Sequence, residues 1–178
     1  QQIPYEITFI EEGHVAVYGM SGTGKTVFLQ TVALSLALKY SPELFRLYAI
    51  DFGGRNLGNL KEMPHCAAVA FEDEKEKITR VIREVKLQME RRKKLFAERE
   101  CNTYESYIQI TKQKLPMIFL MIDNYGVFRE RMYQLEDAVT ELAANASTYG
   151  IYLVITGNSR NAIYYKIAEH IGTRVVFQ

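Results

Sequence analysis

The residues with the clearest chemistry form a glycine-rich run near the start of the 178-residue chain. The run matches the phosphate-binding pattern G-x-x-x-x-G-K-[ST] in full, which predicts that Lys25 reaches the terminal phosphates of a nucleotide and that the Thr26 hydroxyl ligates Mg²⁺. Glycine permits backbone conformations that are closed to other residues, so the N–H groups of the loop can surround phosphate oxygens. The alternative is a glycine-rich turn without a ligand. The predicted nucleotide-binding residues are Gly19, Met20, Ser21, Gly22, Thr23, Gly24, Lys25, Thr26 and Val27.

A second chemical position follows the apolar run 117–122. Asp123 ends this predicted strand, where a site of this type needs a carboxylate to orient the metal. Thr26 and Asp123 are therefore the predicted metal-binding pair. The alternative is an aspartate that merely caps the next turn.

The residue after Asp123 is Asn124, at a position where hydrolytic enzymes of this kind usually place a glutamate that activates water. An amide cannot accept a proton from that water, and the loss is worth about 10²-fold to 10⁴-fold in rate. We therefore predict weak or absent hydrolysis.

Two further polar residues end predicted strands. Ligands collect at the carboxyl ends of the strands in open α/β sheets, so Thr156, which follows the run 151–155, is a candidate sensor of the γ-phosphate. The alternative for this threonine is a loop cap. Asp51 lies at the same predicted edge, but Gly53 and Gly54 follow it, and a role in forming a turn is at least as well supported. The predicted catalytic residues are Asp123, Asn124 and Thr156.

The other titratable residues carry weaker signals. Cys66 and Cys101 form neither a zinc pattern nor a disulfide framework, and we interpret them as reduced thiols of a cytosolic domain. The basic run 91–94 has glutamates around it, which favours a solvated helix face over a contact with DNA. The histidines are scattered and no nucleophile is spaced beside them, so we expect structural roles for His14, His65 and His170.

The elements that must position these residues alternate between short β-rich runs and longer helical ones. This alternation predicts an α/β fold with a mainly parallel central sheet and helices on both faces. Nearly continuous apolar strands are typical of a parallel sheet that is buried on both sides. The predicted strands are 14–18, 45–50, 66–71, 117–122, 151–155 and 174–177, and the predicted helices are 24–39, about 74–99 and 133–149.

Composition narrows the class of protein. Lys and Arg number 22 and Asp and Glu number 21, which gives a formal net charge of +1. This value argues against a protein that binds nucleic acid through a strong overall positive charge. A hydrophobic fraction of 48% excludes a disordered chain, and the apolar runs are far shorter than the roughly 20 residues of a membrane helix. The chain opens on Gln1 without a signal-peptide pattern, and we interpret 1–178 as a single domain excised from a larger protein.

Several of these residues resemble a known family in their order along nearly the whole chain. The run 14–19, the glycine-rich loop, the Met-Glu-Arg-Arg run 89–92 and the strand 116–123 are similar to FtsK/SpoIIIE-type ATPases. Asp-Phe-Gly-Gly at 51–54 is similar to the ATPase repeats of EssC/EccC-type proteins of the type VII secretion system. The resemblance implies a RecA-like P-loop core that binds ATP with Mg²⁺. It also implies tandem ATPase domains in a hexamer, a membrane-anchored parent with this domain on the cytoplasmic face, and small helical proteins as secreted substrates.

The chain departs from the family pattern at two places. Asn124 replaces the catalytic glutamate, and Gly157-Asn158 replaces the Gln-Arg that commonly follows the sensor threonine in the translocases. Arg174 falls where the family often has an arginine, for which a contact to a neighbouring subunit's nucleotide and a structural ion pair are both open. The leading hypothesis is an ATP·Mg-binding domain of a secretion motor. The alternatives are a DNA-translocating ATPase and a degenerate ATPase that docks secreted substrates.

Overall fold

A computed structural model describes residues 7–178 of the chain. Its centre is one six-stranded sheet in which every pair of neighbouring strands is parallel. The strands are β1 (His14–Tyr18), β2 (Phe45–Asp51), β3 (Cys66–Phe71), β4 (Met117–Asp123), β5 (Ile151–Gly157) and β6 (Ile171–Val176). Their order in the sheet is β3-β2-β4-β5-β1-β6. The predicted parallel α/β sheet is confirmed.

Seven α-helices and four short 3-10 helices connect the strands within the described residues. The α-helices are α1 (Phe9–Glu12), α2 (Lys25–Lys39), α3 (Lys75–Glu98), α4 (Tyr104–Thr111), α5 (Tyr125–Arg131), α6 (Glu136–Asn145) and α7 (Tyr165–Ala168). The 3-10 helices are Gly58–Glu62, Tyr133–Leu135, Ala146–Tyr149 and Arg160–Ala162. No helix in 7–178 combines the length and the apolar character that crossing a bilayer requires.

The helices cover both faces of the sheet, and each face has its own apolar core. Helices α3, α5, α6 and α7 contribute to one core, whereas α1, α2 and α4 contribute to the other, to which the end of α3 also adds Phe96. Successive residues of a strand point to opposite faces. In β4, for example, Leu120 belongs to the first core and Phe119 to the second, and both are fully buried. A strand that is covered on both faces must be apolar at every position, which explains the uninterrupted hydrophobic runs of the sequence.

Some predicted boundaries are wrong. The helix expected over 133–149 is divided into a 3-10 turn, α6 and a second 3-10 turn, and the last strand begins at Ile171 rather than Arg174. Helix α4 has no counterpart among the predicted elements. Its start is marked by a reciprocal capping box, because the Thr103 hydroxyl accepts from the Ser106 N–H and the Ser106 hydroxyl accepts from the Thr103 N–H.

The basic run 91–94 also differs from expectation. Arg91 and Lys94 are exposed, but Arg92 is only 2% exposed. Its guanidinium donates to the carbonyl of Tyr149, just before β5, and to that of Pro116, just before β4. The prediction of a solvated helix face is wrong for Arg92, since this side chain ties α3 to the starts of two central strands.

The strand order decides which residues meet at the carboxyl edge of the sheet. Strand β5 lies between β1, which leads into the glycine-rich loop, and β4, which ends in Asp123. On the other side of β4, Asp51 of β2 is the register partner of Asp123. The loops that follow β1, β2, β4 and β5 therefore lie side by side.

Candidate functional site

The glycine-rich loop connects the end of β1 to the first turn of α2. Gly24 caps this helix in the left-handed region at φ 98°, a conformation that glycine adopts without steric cost. The Phe28 N–H donates to the Gly24 carbonyl, so regular helical bonding begins here. The first N–H groups of a helix have no partner inside it and, with the helix dipole, they favour an anion at this end.

Lys25 is the buried cation of the loop. Its ammonium nitrogen donates to the carbonyls of Gly19 at 2.6 Å and of Met20 at 2.7 Å, and the residue is 8% exposed. Burial lowers the pKa of Lys25 from its ordinary value, and the nearby Asp123 carboxylate acts in the opposite direction. The lysine is thus fixed between the loop backbone and the acidic end of β4.

Asp123 joins the loop to the neighbouring strands. One of its carboxylate oxygens accepts from the Thr26 hydroxyl at 2.8 Å, and the other accepts from the Thr156 hydroxyl at 2.6 Å. The residue is 2% exposed. The structure therefore brings together Thr26 and Asp123, the two residues predicted to bind the metal, although 97 positions separate them in the chain.

Asn124 occupies an unusual backbone conformation directly after Asp123. Its φ is 63°, in the left-handed region where asparagine is one of the few non-glycine residues found routinely. Its N–H donates to the Thr156 hydroxyl at 2.8 Å, and its side-chain amide donates to the Phe52 carbonyl at 3.3 Å. The amide is therefore tethered to the loop after β2.

Thr156 is fully buried, and its hydroxyl is engaged twice. It donates to Asp123 and accepts from the Asn124 N–H. For Asp51 the sequence leaves two roles open, binding a ligand or forming a turn, and its contacts are those of a turn-forming residue. Its two carboxylate oxygens accept from the N–H groups of Gly53 at 2.7 Å and Leu57 at 2.9 Å.

A cavity of about 560 Å³ opens over these groups. Asp123 is the one carboxylate among its lining residues, and the other polar contributors are mostly hydroxyls and amides. The lining residues that the sequence had indicated are Ser21, Gly22, Gly24, Lys25, Thr26, Val27, Asp123 and Asn124. The cavity lining does not include Gly19, Met20, Thr23 and Thr156, which instead hold Lys25, the loop and Asp123 through hydrogen bonds.

Sequence reasoning had given no site role to five lining residues, Gln30, Phe52, Gly53, Asn56 and Asn158. For Gln30 a signal was present, since it lies four positions after Thr26 and therefore on the same face of α2. Residues 52–56 follow β2 directly, and the carboxyl end of a strand next to β4 must lie beside Asp123.

Gly53 shows how closely the loop after β2 approaches the aspartate. A Cβ atom at this position would lie 2.4 Å from a carboxylate oxygen of Asp123. The backbone thus forms a cradle around the acidic group without covering it with a side chain.

The residues present suit a magnesium–nucleotide complex. Residues 7–178 contain no group of three His, Cys, Asp or Glu side chains that could hold a metal by themselves. A hydroxyl and a single carboxylate are the protein groups that Mg²⁺ uses when phosphates and water supply its remaining oxygens. The lysine, the helix N-terminus and the loop backbone provide for the phosphate charge.

The fold and the site together define a class. A parallel sheet in which one strand separates the phosphate-loop strand from the strand that ends in the acidic residue is the core of a RecA-like P-loop ATPase. Residues 2–175 match the model of the FtsK/SpoIIIE family, and the chain belongs to this family.

The similar proteins include components of ESX secretion systems. The ESX secretion system protein YukB of Bacillus subtilis is 31% identical over 176 residues, which cover 99% of this chain and 12% of YukB. EccC of Thermomonospora curvata is 34% identical over 169 residues, which cover 92% of this chain and 13% of EccC. A structure of Thermomonospora curvata EccC (ATPases 2 and 3), in complex with a signal sequence peptide, matches with a TM-score of 0.94 and 33% identity over 99% of this chain and 33% of that one. The chain thus spans about an eighth of the length of these curated relatives.

Proposed function

We propose that this chain is an ATP·Mg²⁺-binding domain of a type VII secretion motor that hydrolyses ATP slowly or not at all. The convergence of Lys25, Thr26 and Asp123 at one cavity carries the proposal, because these three groups address the phosphates and the metal. The likeness to YukB and EccC over nearly the whole chain supports the assignment to secretion.

Each residue has a defined task in this proposal. Lys25 and the backbone N–H groups of the loop bind the β- and γ-phosphates, and Val27 continues the wall of the cavity. The Thr26 hydroxyl and the Asp123 carboxylate hold Mg²⁺, which neutralises phosphate charge when it is bound. Thr156 keeps Asp123 in place through its hydroxyl and, by the same bond network, connects a change at the phosphates to β5.

Slow hydrolysis follows from the side chain after Asp123. The amide of Asn124 can hold a water molecule by a hydrogen bond but cannot take its proton. No other carboxylate among the described residues lines the cavity, so that no neighbouring side chain replaces the missing base. Binding of ATP is therefore separated from its turnover, as in a domain that regulates or stabilises an assembly.

The test is a thermal unfolding experiment with ATP and Mg²⁺. Ligand at 100 times its dissociation constant adds about 2.7 kcal/mol to the free energy of unfolding, which raises the midpoint by several degrees. Lys25→Ala should abolish the shift, whereas Lys39→Ala, an exposed lysine at the other end of α2, should retain it. An unaltered protein that shows no shift at millimolar ATP would contradict the proposal.

The wider setting is proposed from the relatives. We propose that residues 1–178 form one ATPase domain of a longer, membrane-anchored protein and lie at the cytoplasmic face of a bacterial membrane. Neighbouring ATPase domains of the same chain, a homo-hexamer of the parent and small helical secreted proteins are the proposed partners. The peptide complex of Thermomonospora curvata EccC supports a protein substrate over DNA.

A further inference from the structure

Part of the cavity wall comes from the segment 52–57 that follows β2, which contributes Phe52, Gly53 and Asn56 to the lining. Asp51, which is only 1% exposed, anchors this segment to the end of β2, because its carboxylate accepts from the N–H groups of Gly53 and Leu57. Leu57 closes the segment as a fully buried side chain. The segment is thus held as a rigid turn.

Two amide side chains tie this wall together. The Asn56 amide donates to the Gly53 carbonyl at 2.8 Å, and the Gln30 amide donates to the Asn56 carbonyl at 2.7 Å. Carbonyl oxygens can only accept, so in both side chains the nitrogen must face the backbone. Gln30 thereby connects the wall to α2, one turn beyond Thr26.

This anchoring determines what the side chains offer to a ligand. With both nitrogens engaged, Gln30 Oε1 and Asn56 Oδ1 have no hydrogen-bond partner among the residues that the structure describes. Both residues line the cavity that also contains Thr26 and Asp123. Gly53, on which the Asn56 amide rests, directly abuts the Asp123 carboxylate.

We propose that Gln30 and Asn56 are metal-positioning residues, whose amide oxygens accept hydrogen bonds from water molecules bound to the divalent cation. The chemistry fits, since Mg²⁺ keeps several of its waters in proteins and each bound water is a strong donor. Neutral oxygens suit this role because they orient the waters without adding charge beside Asp123 and the phosphates. The inference rests on the proposed function and assigns to these two residues the preference for the metal-bound form of the nucleotide.

The experiment compares the affinity for ATP in Mg²⁺ with the affinity for ATP in EDTA by isothermal titration calorimetry. Gln30→Met and Asn56→Ala should each reduce the ratio of the two affinities by about 2-fold to 10-fold, the effect of one hydrogen bond, while ATP in EDTA binds as before. Gln109→Met and Asn102→Ala, exposed residues outside the cavity, are matched controls and should leave the ratio unchanged.

The outcomes separate this inference from the proposed function. An unaltered protein that binds neither form of ATP overturns the proposed function and the inference with it. If the unaltered protein prefers ATP with Mg²⁺ but the two variants keep that preference, or lose affinity equally in Mg²⁺ and in EDTA, the inference alone is wrong. Should Gln30→Met fail to fold, the comparison of Asn56→Ala with its control Asn102→Ala gives the same decision.

Discussion

The side chain of Asn124 determines whether the proposed nucleotide site has a general base for hydrolysis. Asn124→Asp supplies a carboxylate and suits the left-handed conformation, whereas Asn124→Glu reaches further but costs about 1–2 kcal/mol in that conformation. We expect at least one of the two variants to release phosphate at 10-fold or more the rate of the unaltered protein, because a general base contributes about 10²-fold to 10⁴-fold. Steady-state phosphate release is the measurement, with Asn124→Ala as the control that lacks a base. Rapid release by the unaltered protein would contradict the prediction of slow hydrolysis.

Gly53 is the residue at which a single methyl group should disturb the metal position. Gly53→Ala places its Cβ against the Asp123 carboxylate, which must move to make room. Overpacking costs the folded protein about 1–3 kcal/mol, and we expect the displaced carboxylate also to weaken the stabilisation by ATP·Mg²⁺. Thermal unfolding with and without the ligand measures it. Gly126→Ala, whose Cβ would make only an ordinary contact at 3.6 Å, should preserve the stabilisation.

At this scale the sequence predicts some residues of the site and not others. Lys25 and Thr26 belong to a contiguous pattern, and Asp123 follows an unmistakable apolar strand, so their types and spacing carry the information. Gln30 and Asn56 are connected through space by one amide and one carbonyl, 26 positions apart. Nothing in either residue's neighbourhood indicates the other, and only the parallel pairing of β2 with β4 brings them to one cavity.

Strand β1 is secured at its first residue by a buried histidine. His14 accepts from the Leu153 N–H through Nδ1, and its Nε2 faces the Ala143 carbonyl at 3.0 Å, so the neutral imidazole satisfies both β5 and the end of α6. The expectation of a structural role agrees with this arrangement. Burial lowers the pKa of His14 from 6.5 to about 4.

This lowered pKa predicts acid sensitivity. Below pH 6.5 the unfolded chain takes up a proton that the folded chain refuses, so stability is complete above pH 6.5 and declines as the pH falls towards 4, by about 3 kcal/mol. Denaturant unfolding at pH 7, 6, 5 and 4 measures the decline. His14→Gln should flatten it, whereas His170→Gln should change it far less, because the charge of this exposed histidine adds only a smaller effect to the burial of His14. Equal slopes for both variants would show that other groups dominate.

Helix α3 is attached to the sheet by Arg92. Burial lowers the pKa of this guanidinium to about 10, so it is still charged at neutral pH and still donates to both strand-leading carbonyls. Arg92→Met leaves those two carbonyls without a donor and should lower the free energy of unfolding by about 2–4 kcal/mol. Arg91→Met, one residue away on the exposed face, should change it by less than about 0.5 kcal/mol. Urea unfolding of the two variants gives the comparison.

Among the elements, the sequence predicts those with long apolar periodicity and misses those that depend on local hydrogen bonds. The central strands are readable because both of their faces are buried. Helix α5 begins directly after the left-handed Asn124 and is only seven residues long, too short for its apolar spacing to be recognised in the sequence. The sequence does not reveal that Arg92 is buried, because an arginine within a charged run differs from its neighbours only in the residues that it contacts.

For the whole molecule, a nearly balanced charge predicts weak contact with nucleic acid. A formal net charge of +1 supplies little of the phosphate neutralisation on which non-specific DNA binding rests. At 0.15 M salt we expect duplex DNA to bind with a dissociation constant above about 10⁻⁴ M, the weak end of non-specific binding. Fluorescence anisotropy across a salt series measures it. Tight binding with a steep salt dependence would instead support the DNA-translocating alternative.

The order of the strands has a consequence for biosynthesis. Strand β1 leads into the phosphate-binding loop and is synthesised before the other strands of this sheet, but its two neighbours, β5 and β6, are the last two strands of the sheet to be made. Until the chain has been synthesised through Gly157, both edges of β1 lack their partners, and pairing between such distant segments is intrinsically slow. The loop and α2 therefore acquire their final arrangement late, and nascent chains that stall before β5 would expose an unpaired apolar strand to chaperones.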